Sequence, residues 1–109
     1  MALPKKSDEH RVKIVVDKDG NFSYENPLIW VDRGDSIIWE CQGDYPFAVH
    51  LGWGSPLDKG RYHASKKEQI VARVLNNALA GHYPYTVVVC DGEKLWTDDP
   101  ELIVRRPSG

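Results

Sequence analysis

The chain has 109 residues, 41% of them hydrophobic and 28% charged, with a formal net charge of −2. That is one domain by size, long enough to bury a single core. Acidic and basic residues are interleaved, which excludes the basic stripe of a nucleic-acid binder, and no run approaches the ~18 apolar residues that span a bilayer. Lys5-Lys6, Lys66-Lys67 and Arg105-Arg106 are isolated pairs of a solvated surface. The first residues lack the apolar stretch of a signal peptide, so a cytoplasmic location is the expectation, although a removed leader would leave the same start. Cys41 and Cys90 are too few for a disulfide framework.

The polar residues 1–10 read as a flexible N-terminal segment, and a domain is expected over 11–106. Short apolar runs then alternate with turn chemistry, the pattern of an all-β sandwich or barrel. Val12, Ile14 and Val16 mark one buried face of a first strand. Asp17 to Gly20 turns the chain, Asn21 to Tyr24 forms a short strand, and Leu28 to Val31 forms the next. Gly34 in the turn Asp32–Asp35 is free to take positive φ. Ser36 to Cys41 follows with Ile37, Trp39 and Cys41 on one face. Phe47, Val49 and Leu51 alternate with Ala48 and His50. Residues 52–64 are rich in Gly and Pro and read as an excursion.

Residues 65–80 carry conflicting signals. Ile70, Val71, Val74, Leu75, Ala78 and Leu79 recur at helical spacing, Ser65 and Glu68 have capping-box spacing, and Gly81 suits a helix C-terminus. Local rules alone favour a helix. Next, Tyr83, Tyr85, Val87 and Val89 share one face of a long strand. Asp91-Gly92 signals a two-residue hairpin, Glu93 to Trp96 pairs back, and Glu101 to Arg105 closes the sheet.

Four motifs, taken in order, resemble the cupredoxin family over about residues 11–106. They are Gly34-Asp35-x-Ile37-x-Trp39, Tyr45-Pro46-Phe47, Gly81-x-Tyr83-x-Tyr85, and Asp99 to Val104. The resemblance implies a Greek-key β-sandwich of about seven or eight strands. It also makes Glu68 to Val74 a strand and Leu75 to Gly81 its connection. Type 1 copper in that family requires two His, a Cys thiolate and a weak axial Met. The positions that match them are Phe47, Val87, Cys90 and Leu95, an apolar plug with one thiol. No metal site and no cofactor are therefore expected.

Other constellations are weak. His10, His50, His63 and His82 show no zinc spacing, although a site assembled in space from His50, His82 and Cys90 stays open. Cys41, beside Trp39, reads as a buried structural thiol, and Cys90 points to the opposite face. Asp98, Asp99 and Glu101 read as turn chemistry, and no nucleophile elbow or phosphate loop occurs. Asn21-Phe22-Ser23 matches a glycosylation acceptor only by pattern. Tyr45, Phe47, Trp53 and Trp96 lie in or beside loops and form a candidate patch. The expected function is a metal-free binding or interaction module rather than an enzyme. Its partner would be a protein or small ligand, with no nucleic acid and no membrane. The alternative is a copper-binding or electron-transfer protein with an atypical site at Cys90 and a histidine.

Overall fold

A computed structural model describes residues 8–25, 28–52 and 54–106. The described residues contain eleven strand segments and no helix: β1 (Glu9–Val16), β2 (Phe22–Glu25), β3 (Leu28–Val31), β4 (Ser36–Cys41), β5 (Phe47–His50), β6 (Arg61–Ala64), β7 (Ile70–Arg73), β8 (Gly81–Pro84), β9 (Thr86–Cys90), β10 (Leu95–Asp98) and β11 (Glu101–Val104). One sheet has the order β2-β1-β4-β7. A second has β10-β9-β5-β6, and a third has β3-β11-β8.

The second and third sheets belong to one layer. Val87 faces Asp98 in the β9–β10 ladder, and Pro84 faces Glu101 in the β8–β11 ladder, three residues on in both strands, so the register does not slip. The Tyr85 amide donates to the Pro100 carbonyl across the gap at 3.0 Å. Pro100 has no N–H to return, which interrupts the ladder without ending the hairpin. β8 with β9 and β10 with β11 are thus two long strands. β2 and β3 likewise are consecutive pieces divided between the layers. Counted by chain pass, the eleven segments make eight, in keeping with a Greek-key sandwich.

Alternation places the core. Val12, Ile14, Ile37, Trp39, Val49, Val87, Val89, Leu102 and Val104 are essentially inaccessible. Trp39 lies at the centre with the Tyr85 ring edge-on at 5.5 Å and Tyr62 at 6.2 Å. Its indole N–H points to the Tyr85 hydroxyl at 3.4 Å. Such aromatic pairs contribute about 0.5–1.5 kcal/mol beyond the area they bury. Tyr83, on the same face of the long strand, is half-buried, and its hydroxyl donates to the Leu79 carbonyl at 2.6 Å.

The structure corrects several boundaries. β1 begins at Glu9, because the chain from Asp8 is already tied to the Asp32–Asp35 turn. The Ser36 amide donates to the Asp8 carbonyl at 2.9 Å, and β1 runs parallel to β4 from Glu9 opposite Ser36. Residues 52–64 are not all excursion, since Arg61–Ala64 pairs with β5. Tyr62 and Ala64 face the core there with only two inward positions, too short a run to read from alternation. In the last hairpin the strands end at Cys90 and Leu95, and the Asp91 amide still donates to the Lys94 carbonyl at 3.2 Å, so Gly92 and Glu93 make the turn instead of Asp91 and Gly92. The Asp91 carboxylate bonds the amides of Glu93 and Lys94 and closes that loop at 2.9–3.0 Å.

The helical signal at 65–80 yields to the sheet. The Glu68 carboxylate does accept from the Ser65 amide at 2.9 Å, as a capping box would. But Lys67 takes a φ of 69°, off the helical path, and the chain enters β7 at Ile70. Ile70 and Ala72 turn into the core while Val71 is 62% exposed. A helix would bury one apolar stripe. β7 instead completes the β4 ladder from Ser36–Arg73 to Trp39–Ile70.

Candidate functional site

Strand direction gathers four connections at one end of the sandwich. β1 and β4 are parallel, so 17–21 and 42–46 leave at the same end, and the antiparallel β9 and β6 deliver 91–94 and 65–69 there. The Lys67 amide donates to the Asp44 carbonyl at 3.3 Å, and the Cys90 amide to the Pro46 carbonyl at 3.0 Å, which lock neighbouring loops together.

At this end Val16, Asp17, Lys18, Tyr45, Val89, Asp91 and Trp96 line a cleft of about 120 Å³. Trp96 faces inward from the edge strand β10, opposite Val89, and is half-buried. Its indole covers Gly20, where any Cβ would meet the ring at 2.3 Å. The φ of 85° at Gly20 also requires glycine. The indole N–H donates to the Asp91 carboxylate at 2.9 Å, and Lys94 Nζ stands 5.4 Å from the ring centroid. Tyr45 lies over Gly43 and remains 36% exposed.

The two carboxylates at the cleft stay ionised. The Trp96 indole, followed by the Glu93 and Lys94 amides, holds Asp91 below the ordinary carboxylate value. The Asn21 amide does most to lower Asp17, aided by the Asn21 side chain and the Asp19 and Gly20 amides. Two aromatic surfaces and two fixed negative charges, with Lys18 and Lys94 at the rim, thus meet in one place.

The expected patch is only partly assembled. Tyr45 and Trp96 converge on the cleft. Phe47 does not join them at the surface: it is 3% exposed, because alternation along β5 sends it and Val49 into the core. Trp53 lies outside the described residues.

The positions matching the copper ligands separate in the same way. Phe47 pairs with Val89 and Val49 with Val87, and all four are buried hydrocarbon without a lone pair to offer a metal. Each contributes roughly 1.5–3 kcal/mol by burial. Cys90 and Leu95 are not part of this fill. Since Val87 and Val89 point inward, Cys90 points outward and is half-buried. Leu95, directly opposite it on an edge strand, is 68% exposed. The plug is therefore Phe47, Val49, Val87 and Val89, and its donor set does not fit type 1 copper.

Nor do His50, His82 and Cys90 meet. His50 faces Thr86 on β9, with Cys90 four residues further on, roughly 13 Å at the strand rise. His82 lies on β8 beside β11 and is hydrogen-bonded to Glu101. Among the described residues no group of three or more His, Cys, Asp or Glu is placed to hold a metal ion. The acidic residues near Pro100 are engaged separately: Asp98 accepts from the Tyr24 hydroxyl at 2.7 Å, Asp99 from Thr86 at 3.1 Å, and Glu101 pairs with His82.

Sequence reasoning missed two features. One is Asp35, a carboxylate 1% exposed, which accepts from the Asp8 and Asp32 amides at 3.1 and 2.9 Å and bonds His10 Nε2 at 2.8 Å. Burial alone would raise it, but these bonds prevail and hold it below its ordinary value. The other is the stacking of Trp96 on Gly20, signalled only by a glycine in the turn of the first hairpin.

No protein-family model matches the sequence, and no curated protein does. Solved structures do. A pseudoazurin from Sinorhizobium superposes with a TM-score of 0.59 at 16% identity, over 93% of this chain and 76% of that one. A Met-to-Gln variant of amicyanin in its Cu(I) form gives 0.52 at 17% identity, over 87% and 82%. A reduced Trp-to-Tyr variant of amicyanin gives 0.52 at 18% identity, over 85% and 80%. The chain is a cupredoxin-like domain: the fold is shared, and the metal-binding donor set is not found among the described residues.

Proposed function

We propose that this domain is a binding or interaction module rather than an enzyme, engaging a protein or small-ligand partner at the loop end through Tyr45 and Trp96. The observation that carries the reading is their convergence on one cleft, with the indole fixed by Asp91, Gly20 and Lys94 before any partner arrives. Aromatic side chains held in place lose little entropy on binding and commonly anchor interfaces. The hydrocarbon fill beneath them supports the same reading, since it leaves the loops a rigid base. A cytoplasmic setting belongs to this proposal.

Copper carriage through Cys90 is the weaker reading, because no histidine shares its neighbourhood. Titration of the reduced protein with Cu(II) should give no intense thiolate-to-copper band, and stoichiometric uptake with such a band would sink the proposal. The positive test compares partner capture by the wild type with capture by Y45A/W96A, after thermal melts show that the double variant folds. A partner lost with the two rings supports the site. An identical set of partners counts against it.

A further inference from the structure

A second surface, remote from the loop-end cleft, is carried by the outer face of β5 and β6. His50 stands directly opposite Arg61, and His63 opposite Ala48. Directly opposed residues share a face, and diagonal ones lie within reach of long side chains. Arg61, His63 and His50 therefore project together, away from a core into which Tyr62 and Ala64 point. The two imidazoles meet edge to face, with centroids 5.6 Å apart.

Among the described residues, Arg61, His63 and one nitrogen of His50 have no hydrogen-bond partner. His50 Nε2 is buried and has no hydrogen bond among the described residues. A buried polar atom left so costs about 1–3 kcal/mol. Arg61 and His63 are exposed, and neither forms a hydrogen bond or ion pair among the described residues. Next to His50, a groove of about 300 Å³ runs along Leu51, Gly52, Pro84, Tyr85 and Thr86 to Asp99.

We infer that this face binds a small organic anion, a carboxylate or a phosphate monoester, between Arg61, His63 and His50. Arg61 supplies a planar fork matched to either group. His63 supplies an N–H donor, and His50, which lines the groove, adds a second once its ring turns the buried nitrogen outward. The anion offsets the fixed positive charge of Arg61. His50 is held below the ordinary histidine value, by burial first and then by His63 and Arg61. The other groups facing it are Thr86 from β9, directly opposite, and Asp99, whose carboxylate is bonded to the Thr86 hydroxyl. Asp99 closes the groove with negative charge, so the surface suits a short anion and not a polyanion such as nucleic acid. The Arg61 charge likewise disfavours a metal cation at the His pair.

The experiment titrates the whole chain with inorganic phosphate, and separately with acetate, following the imidazole resonances of His50 and His63 by NMR against a sodium chloride control of equal ionic strength. Saturable shifts of both rings are expected with at least one anion, and the tighter of the two identifies the ligand class. R61Q should weaken binding about tenfold, the size of one charge-assisted hydrogen bond. Arg61 is exposed, so a melt will show R61Q folded, and H63Q gives a second folded test. Shifts no larger than the chloride control, or unchanged affinity in both variants, would overturn the inference. Saturable shifts with Zn(II) but with neither anion would overturn it in favour of a cation site.

Discussion

At the scale of single residues, two positions carry more than their size suggests. Asp35 ties the start of β1 to the turn before β4 through two bonds, from Asp8 and with His10, and closes that turn by accepting from the Asp32 amide. Replacing it with Asn keeps the shape but loses the charge-assisted bonds, at a cost of about 2–4 kcal/mol in urea unfolding. Gly20 is constrained twice, by positive φ and by the Trp96 ring. G20A should therefore destabilise the domain by about 1–3 kcal/mol and shift the fluorescence of Trp96 as the ring leaves the cleft. An unchanged emission spectrum would mean that the indole does not depend on that contact. The cysteines differ too: burial pushes the Cys41 thiol up to about 11. At pH 8, iodoacetamide should label Cys90 well before Cys41 in the folded protein, as mapped by mass spectrometry.

At the scale of elements, the strands are decided by alternation where both faces differ and by partners where they do not. β4 shows the first case, since Ile37, Trp39 and Cys41 read directly as an inward row. β7 shows the second. Its sequence satisfies a helical stripe as well as a strand, and only the free edge of β4 selects the strand. The connection from Leu75 to Ala80 is then pinned by Arg33, whose Nε donates to the Ala78 carbonyl at 2.7 Å. R33A should speed hydrogen exchange in this connection while β1 and β4 keep their protection, at a cost of about 0.5–1.5 kcal/mol. β6 was hidden for a related reason: four residues with two inward positions give no statistical pattern, yet Tyr62 completes the aromatic centre around Trp39.

At the scale of the whole molecule, proton linkage couples stability to pH. His50 has a depressed value in the folded chain, so the unfolded chain binds a proton first as pH falls. Its contribution is present above the ordinary histidine value of about 6.5 and is lost below it. Asp35 and Asp58 are also held low: for both, burial raises the value, but bonds from Asp32, His10 and Asp8 to the former and from Tyr62 and Arg73 to the latter prevail. Their contribution is present above the ordinary Asp value of about 3.9 and is lost as pH falls further. Thermal melts across pH should thus show a shallow decline beginning below about 6.5 and a steep one below about 4. H50Q should remove the first step and leave the second.

The sequence by itself determined most of the inward rows and placed hydrocarbon at Phe47 and Val87, local facts fixed by side-chain period two and by residue chemistry; the sandwich was implied by four motifs that resemble a known family. Only the tertiary structure decided that Cys90 and Leu95 lie outside the hydrocarbon fill, that Phe47 sits under the loop-end cleft while Tyr45 and Trp96 line it, and that Arg61, His63 and His50 share a face. Each of these depends on which strand lies beside which and in what register. Pairing is chosen by the burial of the whole core, which no short stretch of chain encodes alone.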